Sequence, residues 1–324
     1  MKKIITIFIM IVALSACYED YVLDYDYDGV YFPYQLDVRT FVVGEGMKIN
    51  FGTTLGGVRD NDRDRVVQYQ MDNSLISAST LAAMKASSAA YIKTSMASVN
   101  ELKLLPSDYY TLSDNSKMVI KQGEYSGVVT VRPDSAKFLS DPATLKSGYA
   151  LGMRITSADA DTVIKPKDYA VVAFKYENML FGNYWHGGVT VEKDSTGATV
   201  SETKYYTTIP SPETKIWKLT TVEPFALTTN GVSEVSSSTK AEMKVTLNGG
   251  NVIVSAVTGS KYAVEPNGAS VYNQSKLLQN RKIYLNYKYK KGKNWCYATD
   301  TLTFRNRVRD GINEWQDENP GNYK

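Results

Sequence analysis

The sequence predicts an all-β protein, a sandwich followed by a small antiparallel barrel or a jelly roll. Three observations predict it. Tyr (24) outnumbers Phe (9), and Val, Thr and Tyr recur in short runs that Gly, Asp and Asn interrupt, as strands and turns require. The runs return at intervals of roughly 8–12 residues. The texture also changes near 178–182, after which lie all four Trp residues and the only His.

The N-terminus reads as an address. Lys2 and Lys3 precede an apolar stretch over 4–14, long enough for a secretory leader but far short of the ~20 residues that span a bilayer. Leu14-Ser15-Ala16-Cys17 follows, the lipobox pattern of bacterial lipoproteins. Residues 1–16 are therefore expected to be a signal peptide and Cys17 the lipidated residue. Acyl chains contribute ~0.8 kcal/mol per buried CH2, so several of them anchor the chain lastingly. Glu19, Asp20, Asp24, Asp26 and Asp28 make 17–28 an acidic tether. Cys296 is then the only remaining thiol, and stability must come from packing instead of a disulfide.

Charge narrows the partners. Lys+Arg is 37 and Asp+Glu 34; without Lys2 and Lys3 the balance is 35 against 34. A chain so close to neutral lacks the counterion-release drive toward nucleic acid, so no nucleic-acid partner is expected.

Strands are expected over 30–34, 38–43, 48–54, 66–71, 118–120, 126–131, 151–156 and 169–176. Val171, Val172, Ala173 and Phe174 are apolar on both faces, which suits a strand covered on both sides. Between these strands, Leu81, Met84, Tyr91 and Ile92 approximate a helical stripe, so 77–100 is expected to be a helical insertion. Residues 134–147 suit a loop with one helical turn. The spacing suggests an immunoglobulin-like sandwich over 29–177, although it lacks the Cys pair of antibody domains.

In the second half, strands are expected over 184–192, 204–209, 215–221, 241–247, 251–258, 282–289 and 295–304. Asn248-Gly249-Gly250-Asn251 and Lys290-Lys291-Gly292-Lys293 supply hairpin turns, because Asn and Gly accept positive φ. Seven or eight such strands fit a barrel or jelly roll over 182–315, with a tail at 316–324. An early Trp185 and a late Arg305 and Arg307 are similar in outline to lipocalin-type barrels, in which such a pair closes the base.

Aromatic side chains are the candidate ligand contacts. A sugar offers apolar C–H faces and a rim of hydroxyls, so its site wants a flat ring below and polar groups around. Trp217, Trp295, Tyr297 and Trp185 are the candidates. Tyr287 and Tyr289 share a strand face with Ile283 and Leu285 and read as core. Asp60, Asp62 and Asp64 mimic the start of an EF-hand, but Arg65 stands where the loop needs Gly and Met71 where it needs Glu. No metal or cofactor is expected. His186 reads as a hydrogen-bonded strand residue, and no local motif singles out a catalytic pair among the 34 acidic residues.

The motifs Val30-Tyr31-Phe32-Pro33, Leu105-Pro106-Ser107-Asp108-Tyr109-Tyr110 and Gln122-Gly123-Glu124-Tyr125-Ser126-Gly127 resemble the N-terminal domain of unknown function found on Bacteroidetes surface lipoproteins. The stretch from Gly182-Asn183-Tyr184-Trp185-His186 to Ile312-Asn313-Glu314-Trp315 is similar to the domain that accompanies it. The resemblance implies parts of Sus-like glycan-uptake systems. It implies a non-catalytic, lipid-anchored protein on the outer face of the outer membrane that binds a polysaccharide or oligosaccharide beside a transporter partner. The alternative is a structural or adhesive subunit that binds protein.

Overall fold

The computed structural model describes residues 27–205, 215–236 and 239–317. Cys17, the leader, most of the acidic tether, the end of the strand expected over 204–209 and the tail from 318 lie outside the described residues. The described residues form two compact units, which fall within Met1–Arg39 with Met47–Lys175 and within Thr40–Gly46 with Tyr176–Lys324. The sequence texture places the division slightly later, between 177 and 182.

The first unit is a two-sheet sandwich. Its strands are β1 (Gly29–Tyr31), β2 (Leu36–Val43), β3 (Ile49–Gly56), β4 (Arg65–Met71), β5 (Lys103–Leu104), β6 (Tyr110–Leu112), β7 (Lys117–Ile120), β8 (Ser126–Pro133), β9 (Tyr149–Ala158), β10 (Thr162–Val163) and β11 (Tyr169–Asn178), with β2 from Thr40 and β11 from Tyr176 counted in the second unit. One sheet runs β10-β1-β3-β8-β6 and the other β2-β11-β9-β4-β7. Val30, Phe32, Val67, Ile120, Val129 and Ile155 fill the space between them.

The expected helical insertion is present as α1 (Ala78–Lys85) and α2 (Ala90–Met96). Ser77 caps α1 by accepting the Thr80 N–H at 3.2 Å. Leu81, Met84, Ile92 and Met96 pack with Val171 and Ala173 on the far face of the second sheet. Hence β11 is apolar on both sides: Ala170 meets the sandwich core, and Val171 and Ala173 meet the helices. A short helix, α3 (Ser135–Ser140), supplies the turn expected near 134–147. Asp64 accepts Lys121 Nζ at 2.6 Å and the Gln122 N–H at 2.9 Å, while Arg65 donates to Asn61 at 2.8 Å, so the Asp-rich loop is an ion-paired turn.

The second unit is a closed antiparallel barrel. Its strands are β12 (Gly182–Lys193), β13 (Thr199–Tyr205), β14 (Lys215–Glu223), β15 (Ala226–Thr229), β16 (Gly231–Val232), β17 (Val235–Ser236), β18 (Met243–Asn248), β19 (Asn251–Ala256), β20 (Val264–Pro266), β21 (Ser270–Tyr272), β22 (Lys282–Lys291), β23 (Asn294–Arg309) and β24 (Ile312–Glu314). Pairing runs β12-β14-β15-β18-β19-β21-β22-β23 and returns to β12, with Tyr184 opposite Phe304 and Lys193 opposite Trp295. β13 continues the line of β14 along the same edge of β12.

Neighbours around the ring are neighbours in sequence, so of the two expected architectures this is the up-and-down barrel and not the jelly roll. Gly249 (φ +61°) and Gly292 (φ +64°) make the two anticipated hairpin turns. Tyr184, Trp217, Leu285, Tyr287, Tyr289 and Leu302 lie among the residues that fill the interior.

Candidate functional site

Strand alternation divides the barrel's functional residues into an inner set and an outer set. The inner set centres on Asp300, which is fully buried on β23. Its carboxylate accepts the hydroxyls of Tyr205 and Tyr287, each at 2.5 Å. Tyr287 Oη in turn accepts the Ser233 N–H at 2.6 Å, and Thr190 Oγ1 bonds both Ser233 Oγ and Tyr205 Oη. His186 Nε2 lies 3.2 Å from Asp300 Oδ2, yet neither imidazole nitrogen is directed for a hydrogen bond to a described residue.

The His186 ring is instead stacked on Trp217, with centroids 3.8 Å apart and planes at 13°. Gly188 leaves room for the carboxylate: a Cβ there would stand 2.7 Å from Asp300 Oδ1. Burial raises the Tyr205 and Tyr287 phenols well above their ordinary value, and the Asp300 charge raises them further. Ser233 Oγ is held by Thr190 and Tyr205, and among the described residues no hydroxyl reaches His186 to complete a nucleophile–base pair.

Trp217 must therefore be removed from the candidate ligand contacts. It is 2% exposed, because its strand position points inward and its indole packs on His186 and on the backbone of Gly231.

At one end of the barrel, three arginines gather on Glu45. Arg281 reaches Glu45 Oε1 at 2.6 Å, and Arg307 and Arg309 reach Oε2 at 3.2 and 3.6 Å. Arg281 and Arg307 also donate to the Met179 carbonyl oxygen. Burial works against ionising Glu45, but the charges of Arg307, Arg281 and Arg309 outweigh it and lower its carboxyl below the ordinary value. A cleft of about 520 Å3 opens beside them, lined by Gly44, Met179, Tyr272, Gln274, Lys276 and Arg281.

The expected Trp–Arg base closure takes another form. Trp185 and Arg305 do pair, with the guanidinium 4.9 Å from the ring centroid, but both sit on the outer wall. The inward aromatic is one residue earlier, Tyr184, edge-on to Phe304 at 5.6 Å. A single step along a strand exchanges inside for outside.

The outer set lies on β12, β22 and β23. Trp295 and Tyr297 share the outward face of β23 and are partly exposed. Lys288 Nζ and Lys290 Nζ stand 4.7 and 5.1 Å from the Trp295 centroid, and Lys193 Nζ stands 5.5 Å from that of Tyr297. The register explains this, since Trp295 faces Lys290 on one side and Lys193 on the other. Thr299, Thr301 and Thr303 continue the face toward Arg305 and Trp185. Of the four aromatic candidates, the structure thus brings Trp295 and Tyr297 together, sets Trp185 further along the same wall and buries Trp217.

Residues 25–162 match one family model, described as the N-terminal domain of its members. Over nearly the whole chain the fold is similar to that of a Bacteroides ovatus protein of unknown function, 17% identical, with a TM-score of 0.63 over 90% of this chain and 98% of that one. A multidomain Bacteroides ovatus protein described as including DUF1735 is 12% identical, with a TM-score of 0.42 over 89% of this chain and 97% of that one. Among curated proteins no relative matches. The chain thus shares a fold with the first of these proteins, and residues 25–162 carry the N-terminal domain that the family model describes.

Sequence reasoning missed the lysines. Their signal was present in Lys288-Tyr289-Lys290: if Tyr289 is core, its neighbours point outward, and the hairpin at Gly292 turns them onto the face of Trp295.

Proposed function

We propose that this chain is a non-catalytic, lipid-anchored surface protein whose barrel binds a glycan on its outer wall. One observation carries the reading: Trp295 and Tyr297 stand two residues apart on one exposed strand face, bordered by Lys193, Lys288 and Lys290. Flat rings with hydrogen-bond donors close by suit the apolar face and hydroxyl rim of a sugar. The interior is filled by packed side chains, which favours an external site over an internal one. The lipobox at Cys17 and the acidic tether support attachment to the outer membrane with the barrel facing outward, beside a transporter.

The test is affinity electrophoresis of the soluble chain from residue 21 onward against a panel of polysaccharides. Retardation by at least one polymer is expected. Trp295→Ala or Tyr297→Ala should weaken it about tenfold, as loss of an aromatic contact does. Migration unchanged by every polymer would sink the reading.

A second reading has its own observation. Val308, Ile312 and Trp315, around β24, are 54%, 59% and 58% exposed, and such apolar groups favour a protein partner. Crosslinking on whole cells, compared with a Trp315→Ser variant, tests it: a captured partner lost in the variant supports it.

A further inference from the structure

Resting on that reading, we infer that the polymer bound by the outer wall is an acidic polysaccharide, a chain that bears carboxylate or sulfate groups. The outward positions are the odd residues of 185–193 and 295–305 and the even residues of 282–290. Five of them are cationic, Lys193, Lys282, Lys288, Lys290 and Arg305, and none is Asp or Glu. The whole chain has nearly equal numbers of both signs, 37 against 34, so this face departs from the average.

Among the described residues, two carboxylates stand on strands beside the face. Glu265 pairs with Lys288 at 3.4 Å, and Glu202 is engaged by Lys204 at 3.1 Å. Lys193, Lys282, Lys290 and Arg305 have no ion-pair partner among the described residues. Their positive charge is the unopposed part of the wall.

The position of the lysines sharpens the argument. Lys288 and Lys290 stand over the Trp295 ring, where a stacking sugar would have to lie. A neutral sugar would displace both ammonium groups and offer them only hydroxyls. An acidic sugar takes the ring face and receives the displaced ammonium groups as charge-assisted hydrogen bonds. The lysines therefore select against neutral chains and for anionic ones.

The geometry also favours a polymer. One pole holds Trp295 and Tyr297 with their three lysines. The other holds Trp185 with Arg305, and Lys282 opposite Thr303. From Tyr297 to Thr303 is six strand steps, ~20 Å at the usual rise. Thr299 and Thr301 lie between, offering hydroxyls. An extended chain with recurring anionic groups engages both poles at once, and a single sugar cannot.

The experiment titrates the full chain in detergent with polygalacturonate, chondroitin sulfate, carboxyl-reduced polygalacturonate, neutral xyloglucan and an oligouridylate, at low and high salt. Saturable binding to an acidic polysaccharide is expected, weakened by salt and absent for the carboxyl-reduced polymer. The double variant Lys193→Ala, Lys290→Ala should weaken it about tenfold with an unchanged melting temperature. Arg305→Ala should weaken long chains more than short ones. Equal or tighter binding of the neutral polymers would overturn this inference and leave the glycan reading standing. No response to any polysaccharide would overturn both, and tighter binding of the oligouridylate would replace them with a single-stranded nucleic-acid ligand.

Discussion

Asp300 is where the barrel's interior chemistry converges: Tyr205, Tyr287 and His186 reach one buried carboxylate from β13, β22 and β12. Asp300→Ala would leave the buried Tyr287 hydroxyl without its acceptor and remove one partner of the half-buried Tyr205. A loss of about 3 kcal/mol or more is expected, measured by urea unfolding. The same contacts set an alkaline limit. A phenol whose folded value is raised favours the folded state while it stays protonated. Its contribution is complete below about pH 10.0, the ordinary value, and is lost as pH rises above it. The stability advantage of the natural chain over Tyr287→Phe should therefore shrink above pH 10, followed by chemical unfolding at stepped pH. Sequence reading expected a hydrogen-bonded His186 in a strand, and the strand is there. The ring, however, is held by stacking on Trp217. That was not legible, because its partners come from pairings across the barrel and not from adjacent positions.

The hairpin of β16 and β17 shows why short elements escape a sequence reading. Two-residue strands carry no alternation, and nothing in Gly231-Val232-Ser233-Glu234-Val235 announces that its tip lies among inward-facing side chains. Ser233 adopts φ +53°, uncommon for a residue other than Gly, and is fully buried. Its hydrogen bonds to Tyr287 and Thr190 hold it there. Gly231 is required for a different reason: a Cβ would fall 2.4 Å from Trp217 Nε1. Gly231→Ala should cost about 1–3 kcal/mol through overpacking and alter Trp217 emission. Leu→Ala-sized losses at the outer wall are not expected, so thermal melting of Trp295→Ala beside Gly231→Ala separates packing from surface effects. The longer strands were legible, since β22 alternates apolar and polar residues and β18 and β19 flank a Gly-Gly turn.

The features that organise the chain differ in how visible they are in the sequence. The succession of strands, the helical insertion and the change of texture near residue 180 follow from local periodicity and turn chemistry. Closure of the barrel, and the return of 40–46 to the second unit, depend on long-range pairing that no local pattern encodes. Glu45 is central to that return. It meets Arg281, Arg307 and Arg309, while Thr40 donates its N–H and hydroxyl to Asp310 at 3.0 and 2.7 Å. Removing the Glu45 charge leaves buried guanidinium groups poorly compensated, so Glu45→Gln should cost about 3 kcal/mol near neutral pH. The pH dependence distinguishes charge from shape. A carboxyl whose folded value is lowered contributes its full stability above the ordinary value of 4.5 and loses it as pH falls through the lowered one. The gap between the natural chain and Glu45→Gln should therefore narrow below about pH 4.5, followed by chemical unfolding at stepped pH. A gap that stays constant into acid would assign the loss to packing of the Gln side chain and remove the arginine cluster as the clasp of this segment.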